Sequence, residues 1–539
     1  MTEFFFDPTH NVLVYPRSDI ITRVIPEARE FNGHYVGVPR TLRNSQILAH
    51  YNYPIVPVMD NYDWPIEPGR KPLPHQKIYA NFQVTHPRCF NLGDPGTMKT
   101  LSSLWAMSWL MQQHPKGTFK ALIICPLTII ETGWAKAIFR NFLGRLTFEI
   151  LHGTPEKRLA LLNKNVDCYL INFEGPGIGA HTRKRFELDG FSKVLAARDD
   201  IKLVIIDESR AYGDATSKRS RLARAIFGNR PYQWQLCGSP TPQAPTDCYG
   251  MAKLLNNAYG KSFTTFQAET MYKLPHSAFR WVPQRDGYIK ARRILTPAIR
   301  FALDEIWQGP EQTIQEVHIA LSDEQKKLLA DLKRDLTMLV KSGQVITAAN
   351  EAAARLKLLQ ICAGAVYDEN HKKYVVDCTS RLTEIKRIID STQRKVVIFV
   401  NFTSVIHMLQ RHLTETWRKQ HSTLKCGVIN GAVSDKDRVI LLNTFGSDPD
   451  LKVMIVDPTT TAHGINEFVA ADTGIWAGPC DRTELWIQGN ARIRRPGQTF
   501  PSTIFQLFST PTEQEMFRRL ENNTSMQGLM LDMVRKGEL

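Results

Sequence analysis

Twice along this chain, apolar runs of strand length alternate with helical stretches, and the two blocks are separated by a long segment of different character. In the first block the runs are 89–92, 121–125, 166–171, 203–206 and 234–237, with a helix expected over 98–112. In the second a helix over 382–389 precedes runs at 395–400, 426–429, 452–456, 473–476 and 503–508. Strands this uniformly apolar are buried on both faces, which requires parallel sheets covered by helices on either side. The fold class is therefore α/β, with two similar sheets and a cleft between them, a common location for a ligand.

The remaining segments fill in the organisation. Residues 322–340 and 348–361 read as helices, the first opening on Ser322 as a cap followed by acidic residues. Near the amino terminus, short apolar runs at 11–15, 20–25 and 34–39 suggest a small α/β module, and the proline-rich, charged stretch 61–72 lacks periodicity and reads as a linker. The expected division is an accessory module and linker over 1–70, lobe one over 71–255 and a mostly helical insertion or bridge over 256–375. Lobe two comes next over 376–525, with a tail over 526–539.

Composition narrows the class of partner. Lysine and arginine number 68 against 53 acidic residues, a net charge of +15, which favours a polyanion and nucleic acid first of all. An ordinary basic surface is the alternative, since the excess is spread along the chain. It concentrates only locally, at Arg183, Lys184 and Arg185, at Lys218, Arg219, Arg221 and Arg224, and at Lys290, Arg292 and Arg293. The nine cysteines form no C-x-x-C pair, which argues against a zinc finger or a disulfide framework and predicts reduced, mostly buried thiols. No run is long enough for a signal peptide or a bilayer span, so the expectation is a cytoplasmic protein with no membrane partner.

Three motifs carry the chemistry. The sequence GDPGTMKT at 93–100 follows an apolar run and opens a helix, the context in which backbone N–H groups hold phosphate. Gly93, Gly96, Thr97, Met98, Lys99 and Thr100 are the candidate nucleotide-binding residues, with Lys99 on the β- and γ-phosphates of ATP and Thr100 on Mg2+. Met98 stands where the G-x-x-x-x-G-K-[ST] pattern has its second glycine, and it would weaken nucleotide binding if that position must take a backbone geometry only glycine tolerates or allow close approach of phosphate. The apolar run ending in Asp207 and Glu208 supplies a magnesium ligand and a candidate base for the attacking water. Arg492 and Arg495 are three apart on an expected helix and so share one face, from which they can neutralise a transferring phosphoryl group. Each has a plainer reading: a strand–turn–helix, a strand end capped by solvated acids, and a basic surface helix.

Taken in order, these motifs resemble the Swi/Snf-type ATPases of helicase superfamily two over roughly residues 71–525. The resemblance includes Gln76 in LPHQ at 73–76, the CPLTIIETGW element at 125–134, DESR at 207–210 and Gly238-Ser239-Pro240. It continues through LKLLQIC at 356–362, Asn430-Gly431, HGIN at 463–466 with Gly464 and Asn466, and the stretch from Gln488 to Gln498. It implies two RecA-like lobes, adenine reading by Gln76, and coupling roles for Gly238, Ser239, Pro240, Gly464, Asn466 and Gln488. It further implies Mg2+-ATP hydrolysis and movement along duplex or branched DNA with little sequence specificity. A strand-annealing or unwinding helicase and a non-hydrolysing, nucleotide-gated DNA clamp are the alternatives. Ser209 and Arg210 depart from the family, which has a small residue and then histidine there. The amino-terminal residues 24–50 are also faintly similar to the accessory module of annealing helicases.

Overall fold

In the computed structural model, which describes residues 4–178, 187–274, 281–341, 348–367, 373–461 and 467–536, both α/β blocks form all-parallel sheets. The first is seven-stranded, in the order Ala298–Ile299, Arg88–Asn91, Tyr232–Leu236, Ile201–Asp207, Lys120–Cys125, Cys168–Asn172, Phe148–Ile150. The second is six-stranded, in the order Gln312–His318, Ser502–Phe508, Ala471–Trp476, Lys395–Phe399, Leu451–Val456, Lys425–Ile429. The inner strands are buried because each sheet is covered on both faces, whereas the edge strand Gln312–His318 of the second is polar and largely exposed. In the first, Ile123, Leu203 and Ile205 enter one core while Leu122, Ile124, Val204 and Ile206 enter the other. The molecule thus contains two RecA-like lobes.

The segment between the sheets is less separate than its helical periodicity suggests. It carries the helices Phe263–Thr270, Gly287–Arg292, Asp323–Lys341 and Ala348–Ala363, yet it also lends an edge strand to each lobe. Ala298–Ile299 pairs with the first sheet, and Gln312–His318 lies beside Ser502–Phe508 in the second. The short connection between these two strands therefore joins the lobes directly.

At the amino terminus, Phe5–Asp7, Val12–Pro16, Tyr35–Pro39 and Arg29–Phe31 form a four-stranded antiparallel sheet. Its helix Leu42–His50 is tied to lobe one by Gln46, whose Nε2 donates to the Val84 carbonyl at 2.8 Å. The stretch 61–72 is irregular, as its composition indicates, but it does not hang free. Trp64 stands edge-on to Trp105 at 5.2 Å, and Trp105 donates its indole N–H to the Pro65 carbonyl at 2.7 Å. All nine cysteines are free thiols and all but the half-buried Cys426 are buried. Among the described residues no helix is long and apolar enough to cross a membrane.

Strand register sets the position of the site. Leu236 lies opposite Asn91 on one side and Asp207 on the other, so the three adjacent strands end level. The loop at 93–98, the Asp207-Glu208 pair and the turn at Gly238 consequently leave the sheet side by side, at its carboxyl end, where open α/β sheets bind ligands.

Candidate active site

The loop after Asn91 is shaped by one close approach and two left-handed residues. A Cβ on Gly93 would overlap the Tyr79 hydroxyl and fall 2.6 Å from Thr97 Oγ1, so no other residue fits beneath Tyr79. Gly96 has φ +89, and the helix Lys99–Gln112 begins from Met98 at φ 59, ψ 37. Met98 thus occupies the geometry that suits glycine, a strain of about 1–2 kcal/mol for a residue with a Cβ. Consecutive turns of this kind ahead of a helix N-terminus make an anion-binding concavity. Thr97 is buried and donates to the Asp94 carbonyl at 2.9 Å, while the Asp94 carboxylate accepts from Arg300 at 3.0 Å and from the Leu303 N–H at 3.1 Å.

Lys99 folds back over this loop, its Nζ donating to the carbonyls of Gly93 at 2.6 Å and Asp94 at 3.1 Å. Thr100, half-buried, is the second residue of the helix. Gln76, on the helix Pro74–Thr85, accepts from the Leu73 N–H at 3.0 Å through Oε1, while its buried Nε2 has no hydrogen-bond partner. The loop runs into a helix opening on a cation and a hydroxyl, and the helix packed against it holds an unpartnered amide donor, groups suited to the phosphates and ring nitrogens of a nucleotide.

The two carboxylates stand beside Lys99 at the end of strand Ile201–Asp207. Asp207 accepts from the Trp134 indole N–H at 2.9 Å and from the Glu208 N–H at 3.0 Å. Burial first, and then the adjacent Glu208, holds its carboxyl above the usual range, while Trp134 and Lys99 pull in the opposite direction. Glu208 takes a left-handed conformation, φ 51 and ψ 49, which turns it out of the sheet. Burial raises its pKa as well, and the charges of Lys99 and of Arg492 from lobe two draw it back down.

From Glu208 a polar connection runs to the neighbouring loops. The short turn Ser209–Tyr212 carries Arg210, which pairs with Asp247 at 3.3 Å. Asp247 in turn accepts from the N–H groups of Gln243 at 2.8 Å and Ala244 at 3.0 Å, just past Gly238, Ser239 and Pro240. Gly238 sits against Pro95 of the phosphate-type loop, 3.0 Å from where a Cβ would stand, and Ser239 is buried with its hydroxyl unpartnered. The three loops are therefore in mechanical contact.

Lobe two contributes the helix Thr483–Ile493. Trp476 donates its indole N–H to Asn490 at 2.9 Å, and Gly489 lies flat on the Trp476 and Phe399 rings, so the helix is fixed closely to its sheet. Gln488 is buried and donates to Glu484 at 3.4 Å. Arg492 lies in the last turn, but the expected common helical face for Arg492 and Arg495 does not form. The helix stops at Ile493, with Arg494 at φ −94, ψ 99, ahead of Pro496, whose ring in a continued helix would meet the Arg492 carbonyl. Arg495 reaches lobe one from the loop beyond the helix: its Cβ is 4.0 Å, and Pro496 Cδ 3.4 Å, from where Gly96 would carry a Cβ. A second link is Arg494, paired with Asp304 at 2.6 Å.

The structure thus brings Lys99, Asp207, Glu208 and Arg492 within electrostatic reach and sets Arg495 beside Gly96. Gly464 and Asn466 lie outside the described residues, as do Arg183, Lys184 and Arg185. Tyr79, Trp134, Asp247, Arg300 and Glu484 also shape the site, and sequence reasoning assigned none of them a role. Trp134 was visible within the 125–134 element, but nothing local marks its indole as the partner of a residue seventy-odd positions later.

Residues 89–366 match the SNF2-related domain. The chain is 21% identical over 432 residues to an uncharacterized ATP-dependent helicase of Mycoplasma genitalium, across 79% of this chain and 38% of that protein. It is 20% identical over 485 residues to protein p41 of Acyrthosiphon pisum secondary endosymbiont phage 1, across 86% of this chain and 99% of that one. The solved Sulfolobus solfataricus SWI2/SNF2 ATPase core domain is similar at 18% identity, covering 89% of this chain and 98% of that one with a TM-score of 0.39.

Proposed function

The chain belongs to the SNF2-related family of helicase-like ATPases, and we propose that it is an ATP-dependent DNA translocase whose active site is divided between lobe one, residues 71–255, and lobe two, residues 376–525. The observation that carries this reading is the meeting of the lobes at this loop: Arg495 and Pro496 of lobe two lie against Gly96, and Arg492 is near enough for its charge to act on Glu208.

In this reading Lys99 leaves the Gly93 and Asp94 carbonyls for the terminal phosphates of ATP, and Gln76 offers its unpartnered Nε2 to the base. Mg2+, held by Thr100 and Asp207, would supply charge neutralisation at the phosphates. Glu208, made more basic by burial, accepts the proton of the attacking water. Arg492 and Arg495 offset the charge that develops on the transferring group, and both belong to the lobe that must approach for this to happen. Loss of that charge after hydrolysis removes what attracts the arginines, so each turnover opens and recloses the cleft.

The excess of basic residues supports a DNA track bound through its phosphates, which positions a protein without reading sequence. The test is steady-state ATP turnover with and without duplex DNA, run beside Lys99→Ala, Glu208→Gln and Arg495→Ala. DNA-stimulated turnover lost in all three is the expected result. Nucleotide binding with no turnover on any DNA would instead make the protein a nucleotide-gated clamp.

A further inference from the structure

Glu208 is held in a left-handed conformation, which a residue with a side chain keeps only when its surroundings enforce it. Its immediate neighbour in the chain is the turn Ser209–Tyr212, and Arg210 at the second position of that turn is closely seated. The Arg210 guanidinium lies over Gly213, where any Cβ would overlap Nη1 and fall 2.7 Å from the Asp247 carbonyl. Asp247 holds one edge of that guanidinium at 3.3 Å, and the buried Nε has no hydrogen-bond partner. Lobe one thus builds a seat for a cation and leaves it incompletely satisfied.

The other side of the seat is a cavity of about 330 Å³ between the lobes, lined by Glu208, Arg210, Pro242 and Gln243 from lobe one and by Arg482 and Glu484 from lobe two. Glu484 lies one turn before Gln488, which donates to it, and two turns before Arg492, so all three share a face of the helix Thr483–Ile493. The charged groups facing Glu484 are Glu208 and Asp247, which repel it, and Arg210 and Arg482, which attract it; burial is the largest influence and pushes its pKa up to about 7. Glu484 is half-buried, at the wall of the cavity that also holds Arg210.

We propose that Glu484 is a positioning residue that grips Arg210 from lobe two when the cleft closes, fixing the Ser209–Tyr212 turn and with it the orientation of Glu208. The grip makes the base competent only in the closed state, because Arg210 keeps only the lobe-one carboxylates, Asp247 in contact and Asp214 nearby, when lobe two moves away. It also supplies an interlobe partner suited to arginine at the position where the family has histidine. The inference rests on the ATPase reading for its catalytic consequence, but the pair itself is a structural claim.

Both are tested with Arg210→Ala, Glu484→Ala, the double variant and Glu484→Asp, assayed at pH 8, where Glu484 is ionised. Urea midpoints with saturating duplex DNA and a non-hydrolysable ATP analogue, which hold the cleft closed, form one double-mutant cycle, and kcat for ATP with saturating duplex DNA forms another. The expected result is non-additivity in both: each alanine variant loses kcat by about tenfold with KM for ATP little changed, the double variant is no worse than either, and Glu484→Asp recovers part of the loss. Additive midpoints and additive rates would overturn the pairing. Coupled midpoints in a protein that shows no DNA-stimulated turnover would uphold the pair and refute the motor reading instead.

Discussion

Gly93→Ala provides a quantitative test of how the nucleotide loop is built. The added methyl would overlap the Tyr79 hydroxyl and lie 2.6 Å from Thr97 Oγ1 and 2.8 Å from Tyr79 Cζ. Tyr79 cannot swing aside, since it is fully buried, its hydroxyl accepts the Phe301 N–H at 3.1 Å, and its ring packs against Phe301 at 5.2 Å. Overpacking a site of this kind destabilises by about 1–3 kcal/mol, and here the upper half of that range applies because two neighbours are met at once. Tyr79→Phe removes the nearest atom and separately costs about 1–2 kcal/mol, since it leaves the Phe301 N–H without its acceptor.

The combination is the informative variant. Removing the hydroxyl relieves the shortest of the three contacts while those with Thr97 Oγ1 and the ring carbon Cζ remain, so Gly93→Ala in the Tyr79→Phe background should still be destabilising but cost about 1 kcal/mol less than in the unmodified protein. Urea unfolding read from tryptophan fluorescence gives the four midpoints, and fluorescent-nucleotide titration shows whether the loop recovers together with stability. Strictly additive midpoints would mean that Tyr79 does not press on Gly93, and the account of the loop's shape would fail.

Other expectations arise from single features. Met98→Gly trades about 1–2 kcal/mol of left-handed strain against extra chain entropy and lost apolar contact, so its urea midpoint should stay within about 1 kcal/mol of the unmodified protein. Met98→Val, with a branched Cβ, should be less stable than Met98→Gly by about 1–2 kcal/mol; equal midpoints would show that no strain resides there. Glu484 has its folded pKa raised to about 7 from 4.5, so the folded state holds the proton more tightly and stability contributed by this group declines as pH rises between those values. Glu484→Gln should flatten that decline by up to about 3 kcal/mol in stability–pH profiles, and an unchanged slope would count against the burial assigned to it. In lobe two, Arg381 and Glu513 form a fully buried pair at 3.0 Å that also engages Ser509 and the Ala477 carbonyl. Glu513→Ala should cost about 3–5 kcal/mol by leaving Arg381 buried without its counter-charge, as measured by chemical denaturation.

What the sequence made legible is what depends on local pattern or on a reactive group. The two sheets are announced by apolar runs such as 121–125 and 452–456, which only a doubly covered strand can bury. Lys99, Asp207 and Glu208 stand out in the sequence because a lysine at a helix start and two acids at a strand end leave the same end of a parallel sheet, and the structure brings the three within electrostatic reach. Features that depend on tertiary partners stayed hidden. Nothing near 64 announces that Trp64 will stand against Trp105 and anchor an apparent linker, and the two-residue strand Ala298–Ile299 is too short for any periodicity. Glu484 looks like an ordinary surface acid until lobe two brings it to Glu208 and Arg210. The helix end at Ile493 is marked in the sequence by Pro496, which a pattern of two arginines three apart does not override.

The central claim is that closure of two lobes around ATP drives movement along DNA, and displacement of a third strand from a DNA triplex measures that movement without requiring strand separation. The unmodified protein should release the third strand only with hydrolysable ATP, and Glu208→Gln and Arg495→Ala should abolish release while leaving the duplex bound. ATP turnover stimulated by DNA with no triplex displacement would contradict the claim.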